Sequence, residues 1–402
     1  MFDQSRLGRI AGWMQGYVDA RKFPGCSVLI EGQGRIQYFH ACGQRDIASG
    51  AAFERDTIVR LYSMTKPLTS AIFMMLVEEG RIHLEARLSD ILPAFGDMQA
   101  LRDGAKSIDQ TDPAASPTMQ QLLTHTSGLS YAFNPGLVPQ AMEAQKVFFA
   151  PAQGTLADMT DALAALPLAF VPGSRWEYSV AIDVIGRVIE VLEGKPLDQV
   201  FRARLLDPLG MSETQFSFPE ASLDRAAMMY TPLAGNAMGL NDAKTGGDPL
   251  RLADDVENSA LRRTTLFSGG GGLVGTLDDY MAFCRFLHTG QAAGETLLSG
   301  ASLRFMRSNH LGTEIAAMGP QSFAEQPMRG MGFGIGGAVV LDPGRAGTPG
   351  NIGDFSWGGM ASTFFWIDPV ADLSVIFLTQ LSPSSSYPAR PELKALVHGA
   401  LV

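Results

Sequence analysis

Strand-like runs gather near the two ends of this 402-residue chain, with helical periodicity between them, and that placement limits the folds open to it. Residues 26–31 and 35–42 are apolar or alternating runs joined by Gly32-Gln33-Gly34, the composition of an antiparallel hairpin. Residues 333–341, 362–367 and 373–379 repeat the pattern near the other end, the last two separated by an Asp368-Pro369 turn. A sheet built from these runs must take strands from both ends of the chain. An amphipathic helix with Leu7, Ile10, Met14 and Val18 on one face precedes them, and a helix from about Pro391 follows. Residues 117–215 are mostly helical, with Ile182, Ile185, Val188, Ile189 and Leu192 at helical intervals. The expectation is an α+β fold: one antiparallel sheet flanked by the terminal helices, with a mostly helical unit inserted. Residues 1–90 and 275–402 form the first unit and 91–274 the second. A turn and a short helix ending at Pro93 are expected over 81–95, and loops covering a cleft over 216–265.

Several functions are excluded by composition. A net charge of −10 repels nucleic acid and anionic membrane surfaces. The first residues carry Asp3, Arg6, Arg9, Asp19, Arg21 and Lys22 with no apolar run of signal-peptide length, and no segment is long and uncharged enough to span a bilayer. A cytoplasmic protein is the expectation. Cys26, Cys42 and Cys284 are odd in number and lie in apolar surroundings, so a disulfide framework is not expected. The six histidines lack metal-ligand spacing, so neither a metal nor another cofactor is expected. Ser268-Gly269-Gly270-Gly271-Gly272 lacks the lysine of a phosphate loop and reads as a tight, flexible turn.

The chemistry starts at Ser63-Met64-Thr65-Lys66, the chain's only Ser-x-x-Lys. Residues three apart share a helix face, so the Lys66 amine can reach the Ser63 hydroxyl and activate it as a nucleophile. Only seven of the 31 basic residues are lysine. An amine can lose its proton near neutral pH when desolvated, which a guanidinium cannot. Pro67 is tolerated in a first helical turn, Leu68, Ile72, Met75 and Leu76 supply a buried stripe, and Gly80 ends the helix. The bland alternative makes Ser63 a helix cap and Lys66 a solvated first-turn residue.

A second candidate, Tyr178, lies in Pro172-Gly173-Ser174-Arg175-Trp176-Glu177-Tyr178-Ser179, a turn before the helix starting near Val180. A phenol there can point into a cleft and exchange a proton with Ser63. With Leu122-Leu123-Thr124-His125-Thr126-Ser127-Gly128-Leu129 and Gly272-Leu273-Val274-Gly275-Thr276, these motifs occur in an order that resembles the serine β-lactamase and penicillin-binding-protein superfamily, on its class C side. The resemblance covers almost the whole chain and implies the β-lactamase/transpeptidase-like version of the α+β fold.

Within that superfamily, a Lys-Thr-Gly triplet on the strand beside the serine binds the substrate carboxylate. This chain has Trp357-Gly358-Gly359 at the matching place, and Val180 where the lactamase pattern has Asn. Both departures resemble the family VIII carboxylesterases and imply a small-molecule ester substrate, with Trp357, Gly358, Gly359 and Trp176 as binding residues. The resemblance also implies an oxyanion hole from the backbone N–H groups of Ser63 and Met360. His125 is expected to tie a helix end to a loop, not to serve in a triad. Two rivals remain. One is an acyltransferase or a D-amino-acid peptidase or β-lactamase using the same serine; the other is a binding protein that keeps the fold without its chemistry.

Overall fold

A computed structural model describes residues 2–148, 150–233, 250–323 and 326–402. The first hairpin pairs β1 (Gly25–Gly32) with β2 (Arg35–Asp46) through Gln33 and Gly34, both at positive φ (54° and 67°). Two consecutive left-handed residues match the right-handed twist of the strands they join, which is why a glycine stands second. The remaining strands of the main sheet are β3 (Ala51–Ala52), β4 (Met331–Phe333), β5 (Ala338–Val340), β6 (Phe355–Gly358), β7 (Phe364–Asp368) and β8 (Leu373–Thr379). Their order is β4-β5-β6-β7-β8-β1-β2-β3, with every neighbouring pair antiparallel. β1 and β8 meet in register from Cys26 opposite Thr379 to Gly32 opposite Leu373, so the two ends of the chain close the sheet on each other.

Both strands of that junction are buried along their whole length, because helices cover both faces of the sheet. The helices are α1 (Arg9–Asp19), α2 (Thr65–Glu78), α3 (Ala181–Glu193), α4 (Leu277–Thr289) and α5 (Ala389–His398). Alternation assigns the faces. Val28, Ile30, Phe364, Trp366, Val375 and Phe377 pack with Ile10, Met14, Leu393 and Val397 of the terminal helices. Leu29, Phe365, Ile367, Ile376 and Leu378 point the other way, into one cluster with Ile72 of α2, Ile182 and Ile185 of α3, and Phe283 and Phe286 of α4. From Thr65 to Leu76 every residue of α2 is buried, so the expected stripe is a fully enclosed helix between the sheet and the inserted helices.

Several expected elements differ from those found. The single strand expected over 333–341 is instead the end of β4 at Phe333 and β5 over Ala338–Val340, because Gly336 at φ 87° folds the chain back, and a Cβ on Gly337 would lie 2.6 Å from the Phe355 ring. Residues 81–95 hold the 3₁₀ turns Leu88–Asp90 and Pro93–Phe95 with no α-helix. Of the loops expected over 216–265, residues 234–249 lie outside the described part. The remainder includes a strand pair, Met229–Thr231 with Arg251–Asp254, and Phe218, Ala226, Val256 and Leu261 form a buried cluster with Ile58 and Val274.

All three cysteines are free thiols, with Cys26 and Cys42 facing each other across β1 and β2, their sulfurs 3.9 Å apart. Among the described residues no helix is long and apolar enough to cross a membrane. Asp354, Asp368 and His398 bring three potential ligand atoms within 4.8 Å. The cation found there is the chain's own: Lys394 Nζ lies 2.6 Å from Asp354.

Candidate active site

Ser63 sits in a single 3₁₀ turn, Tyr62–Met64, that runs directly into α2. The turn is clamped on every side. Leu61 N–H donates to the Leu273 carbonyl at 2.9 Å, Leu273 N–H to Thr65 Oγ1 at 3.1 Å, and the Tyr280 hydroxyl to the Met64 carbonyl at 2.9 Å. Tyr62, immediately before the serine, is held at φ 46°, a left-handed conformation uncommon for a bulky residue. No side chain caps the start of α2, so Ser63 is not a helix cap, and Lys66 is 1% exposed, so it is not a solvated residue. The bland alternative fails on both counts.

Lys66 Nζ lies 3.2 Å from Ser63 Oγ, 3.0 Å from the Tyr131 hydroxyl and 2.6 Å from the Gly270 carbonyl oxygen. It also stands 4.6 Å from the centre of the Tyr178 ring. Burial lowers its pKa to about 7, opposed by the Asp183 carboxylate, which favours the ammonium. The Tyr178 hydroxyl faces Ser63, which favours its phenolate, and accepts the Trp357 indole N–H at 3.4 Å. Burial pushes the Tyr178 phenol above its ordinary pKa, and the Tyr131 phenol well above.

The segment carrying Tyr178 is fixed by the Leu122–Leu129 motif. Gly173 N–H donates to Thr126, Glu177 N–H to His125 and Val180 N–H to the Ser130 carbonyl, while Asn134 donates to the Tyr178 carbonyl at 2.8 Å. His125 is itself held at φ 57°, fully buried, with Nδ1 3.1 Å from Ser179 Oγ and Nε2 without a partner. Burial holds it neutral, well below the usual histidine pKa. It packs beside the Tyr178 ring, centroids 4.8 Å apart, and makes no bond to Ser63. This is the tie between helix end and loop expected of it.

The cleft over Ser63 is lined by Tyr178, Trp357, Gly358, Gly359 and Met360 from the expected set. Trp357 is sandwiched: Phe323 stacks on it at 6.2 Å with planes 9° apart, and Phe333 meets it edge-on at 5.3 Å. The two glycines answer crowding by the chain itself. A Cβ on Gly359 would fall on the Leu61 carbonyl oxygen, and one on Gly358 would meet the Arg390 guanidinium and the Thr363 carbonyl. They let the end of β6 approach the serine turn itself. Trp176 is not brought to this cleft. It lines a neighbouring cavity of about 550 Å³ that shares Tyr178 and Phe323 as its wall.

The sequence reading also missed residues that the cleft uses. Phe323, Gln326, Ser384 and Arg390 line it, and no described residue of 216–265 does. Tyr131 lies two residues beyond the Leu122–Leu129 motif, and that adjacency is its only local signal. Arg390 arrives on α5, its guanidinium 5.0 Å from the Phe364 ring, and brings a positive charge to the cleft. The glycine-rich segment forms the expected turn over 269–271, but Ser268, Gly269 and Gly270 are buried in it and Gly270 supplies a partner to Lys66.

The Ser63 hydroxyl, a buried amine of lowered pKa and a buried phenol thus meet at one cleft, an arrangement capable of acyl transfer. The Beta-lactamase family model matches residues 10–399. Protein Rv1367c of Mycobacterium tuberculosis (strain ATCC 25618 / H37Rv) is 36% identical, over 92% of this chain and 89% of that protein. Esterase EstB of Burkholderia gladioli is 31% identical, over 89% of this chain and 86% of the esterase. The solved structure of EstCE1, titled a hydrolase with promiscuous acyltransferase activity, superposes with a TM-score of 0.81 and 31% identity, covering 98% of this chain and 99% of that one. By its motifs, its fold and these matches, the chain belongs to the beta-lactamase family.

Proposed function

We propose that this chain is a serine hydrolase acting as a carboxylesterase of the family VIII type, cleaving short-chain esters through an acyl-enzyme on Ser63. The observation that carries the reading is the set of contacts around Lys66. A neutral amine has two N–H donors and one lone pair. Two acceptors, the Gly270 carbonyl at 2.6 Å and the Tyr131 oxygen at 3.0 Å, leave the lone pair for the Ser63 hydroxyl at 3.2 Å. The amine's pKa of about 7 makes that neutral form accessible at working pH. Tyr178, whose pKa is raised, keeps its proton and is suited to donate it.

The steps follow from these roles. Ser63 Oγ bonds to the ester carbonyl carbon while its proton passes to Lys66. The oxyanion rests on the N–H groups of Ser63 and Met360. Collapse breaks the bond to the alcohol oxygen, which takes the Tyr178 proton, and Tyr178 is reprotonated from Lys66. Water repeats the sequence on the acyl-enzyme and frees the acid. Trp357 in place of a carboxylate-binding lysine and the 31% identity to an esterase support an ester substrate, with the Arg390 guanidinium also lining the cleft. Replacing Ser63 by Ala should abolish hydrolysis of p-nitrophenyl butyrate while circular dichroism stays native; retained turnover would refute the acyl-enzyme.

A second reading, transfer of the acyl group to an alcohol or amine, is favoured by the similarity to EstCE1, whose title names such activity. Adding an alcohol acceptor separates the two, since only transfer yields a new ester at the expense of free acid.

A further inference from the structure

Resting on the acyl-enzyme reading, we propose that Asp183 is the positioning residue for Lys66. Through Gly270 it holds the carbonyl that aims the amine at Ser63, and its charge sets the pH at which the amine becomes a base.

Asp183 stands on the first turn of α3, five residues beyond Tyr178, and is 3% exposed among Ile182, Val184 and Ile185. A carboxylate is costly there unless its oxygens are hydrogen-bonded. Oδ1 accepts from the Ser268 hydroxyl and from Gly270 N–H at 3.1 Å. The same peptide loop turns the Gly270 carbonyl toward Lys66, 2.6 Å away. Glycine is required at 270 by contact and not by a left-handed φ, since a Cβ would lie 2.9 Å from Asp183 Cγ. A Cβ on Gly269 would likewise lie 2.8 Å from the Ile182 carbonyl. Two glycines therefore let the loop close on the start of α3.

Four titratable groups act on or touch Lys66: Tyr131, Tyr178, His125 and Asp183. Burial raises both phenols and keeps the imidazole neutral. Asp183 is the carboxyl among them: burial raises its pKa, while Lys66, Ser268 and Gly270 N–H favour its anion. It favours the ammonium and opposes the burial that would otherwise deprotonate Lys66 at lower pH.

Asp183→Asn isolates the charge, because the amide oxygen can accept both bonds that Oδ1 accepts. The readout is the pH dependence of the second-order rate of Ser63 labelling by a fluorophosphonate, which reports acylation alone. With Asn, the rising limb should move to lower pH by about one unit while the plateau falls less than tenfold. Ser268→Ala keeps the charge and removes one bond, so its limb should stay and its plateau fall threefold or more. A limb unmoved in Asp183→Asn, whatever the plateau, or a wild-type plateau in Ser268→Ala overturns the proposal. Should the amide variant not fold, Asp183→Ser removes the charge and still offers Gly270 N–H an oxygen. Failure of the underlying reading looks different: Ser63→Ala would then still hydrolyse ester.

Discussion

At the scale of single residues, the site sets the pKa values of two side chains apart, which the proposed mechanism uses to divide the proton work. Burial acts on both and moves them in opposite directions, since it disfavours the ammonium of Lys66 and the phenolate of Tyr178 alike. In the proposed mechanism this makes the amine the base and the phenol the acid. Tyr178→Phe keeps the ring among Trp357, Phe323 and His125 but removes the hydroxyl. Hydrolysis of p-nitrophenyl butyrate by this variant should fall by about two to four powers of ten with folding unaffected. Phenol esters leave without full protonation and alkyl esters do not, so the loss should be larger for an alkyl butyrate. Equal losses on both would argue against Tyr178 as the acid. Ser63, Lys66 and Tyr178 were legible because motifs of fixed spacing carry them. Tyr131, Asp183 and Arg390 were not, because only tertiary contact joins them to the serine: Asp183 reads as one of four charged residues in α3, and Arg390 lies more than 300 residues from Ser63.

At the scale of elements, the close approach of β6 to the serine turn gives the cleft its shape. Gly359 N–H donates to the Thr363 carbonyl at 2.7 Å, closing the turn between β6 and β7. The Thr363 hydroxyl reaches back to the Leu61 carbonyl at 3.4 Å. A methyl group at 359 would land on that carbonyl and drive the strand from the turn. Gly359→Ala should therefore lower stability by about 1–3 kcal/mol and cut kcat more than it raises KM, because the Met360 N–H loses its aim at the oxyanion. Urea melts and steady-state kinetics on one preparation check both. A rise in KM alone would mean that the glycine serves substrate access instead. Trp357-Gly358-Gly359 could be read from the sequence as the strand beside the serine, but the reason for its glycines could not: the crowding comes from Leu61 and Arg390, which no spacing rule brings there.

At the scale of the whole molecule, the sheet joins the two chain ends while one continuous core joins that sheet to the inserted helices. The same cluster holds Leu29 of β1, Ile376 of β8, Ile72 of α2, Ile185 of α3 and Leu205 beyond it. Strands at both ends were visible as short apolar runs, and from them one sheet shared by the two ends followed, though not the pairing of β1 with β8. That the insertion shares its core with the sheet was hidden, because α2 shows only a partial stripe in sequence and yet is enclosed on every side. An insertion with a core of its own could melt separately; one that shares α2 cannot lose it without exposing apolar surface of both parts. Phe377 tests this from the far side. It is fully buried in β8, packed on Phe364, Trp13 and Phe23 at centroid distances of 5.0, 5.7 and 5.7 Å, and touches neither the cleft nor the insertion. Phe377→Ala should cost about 3–5 kcal/mol. Because β8 holds β1 and β7 in register, the helical signal of the insertion, the tertiary signal and esterase activity should then all be lost at the same lowered urea midpoint. Activity lost at a lower midpoint than the helical signal would show that the insertion keeps its structure without the sheet.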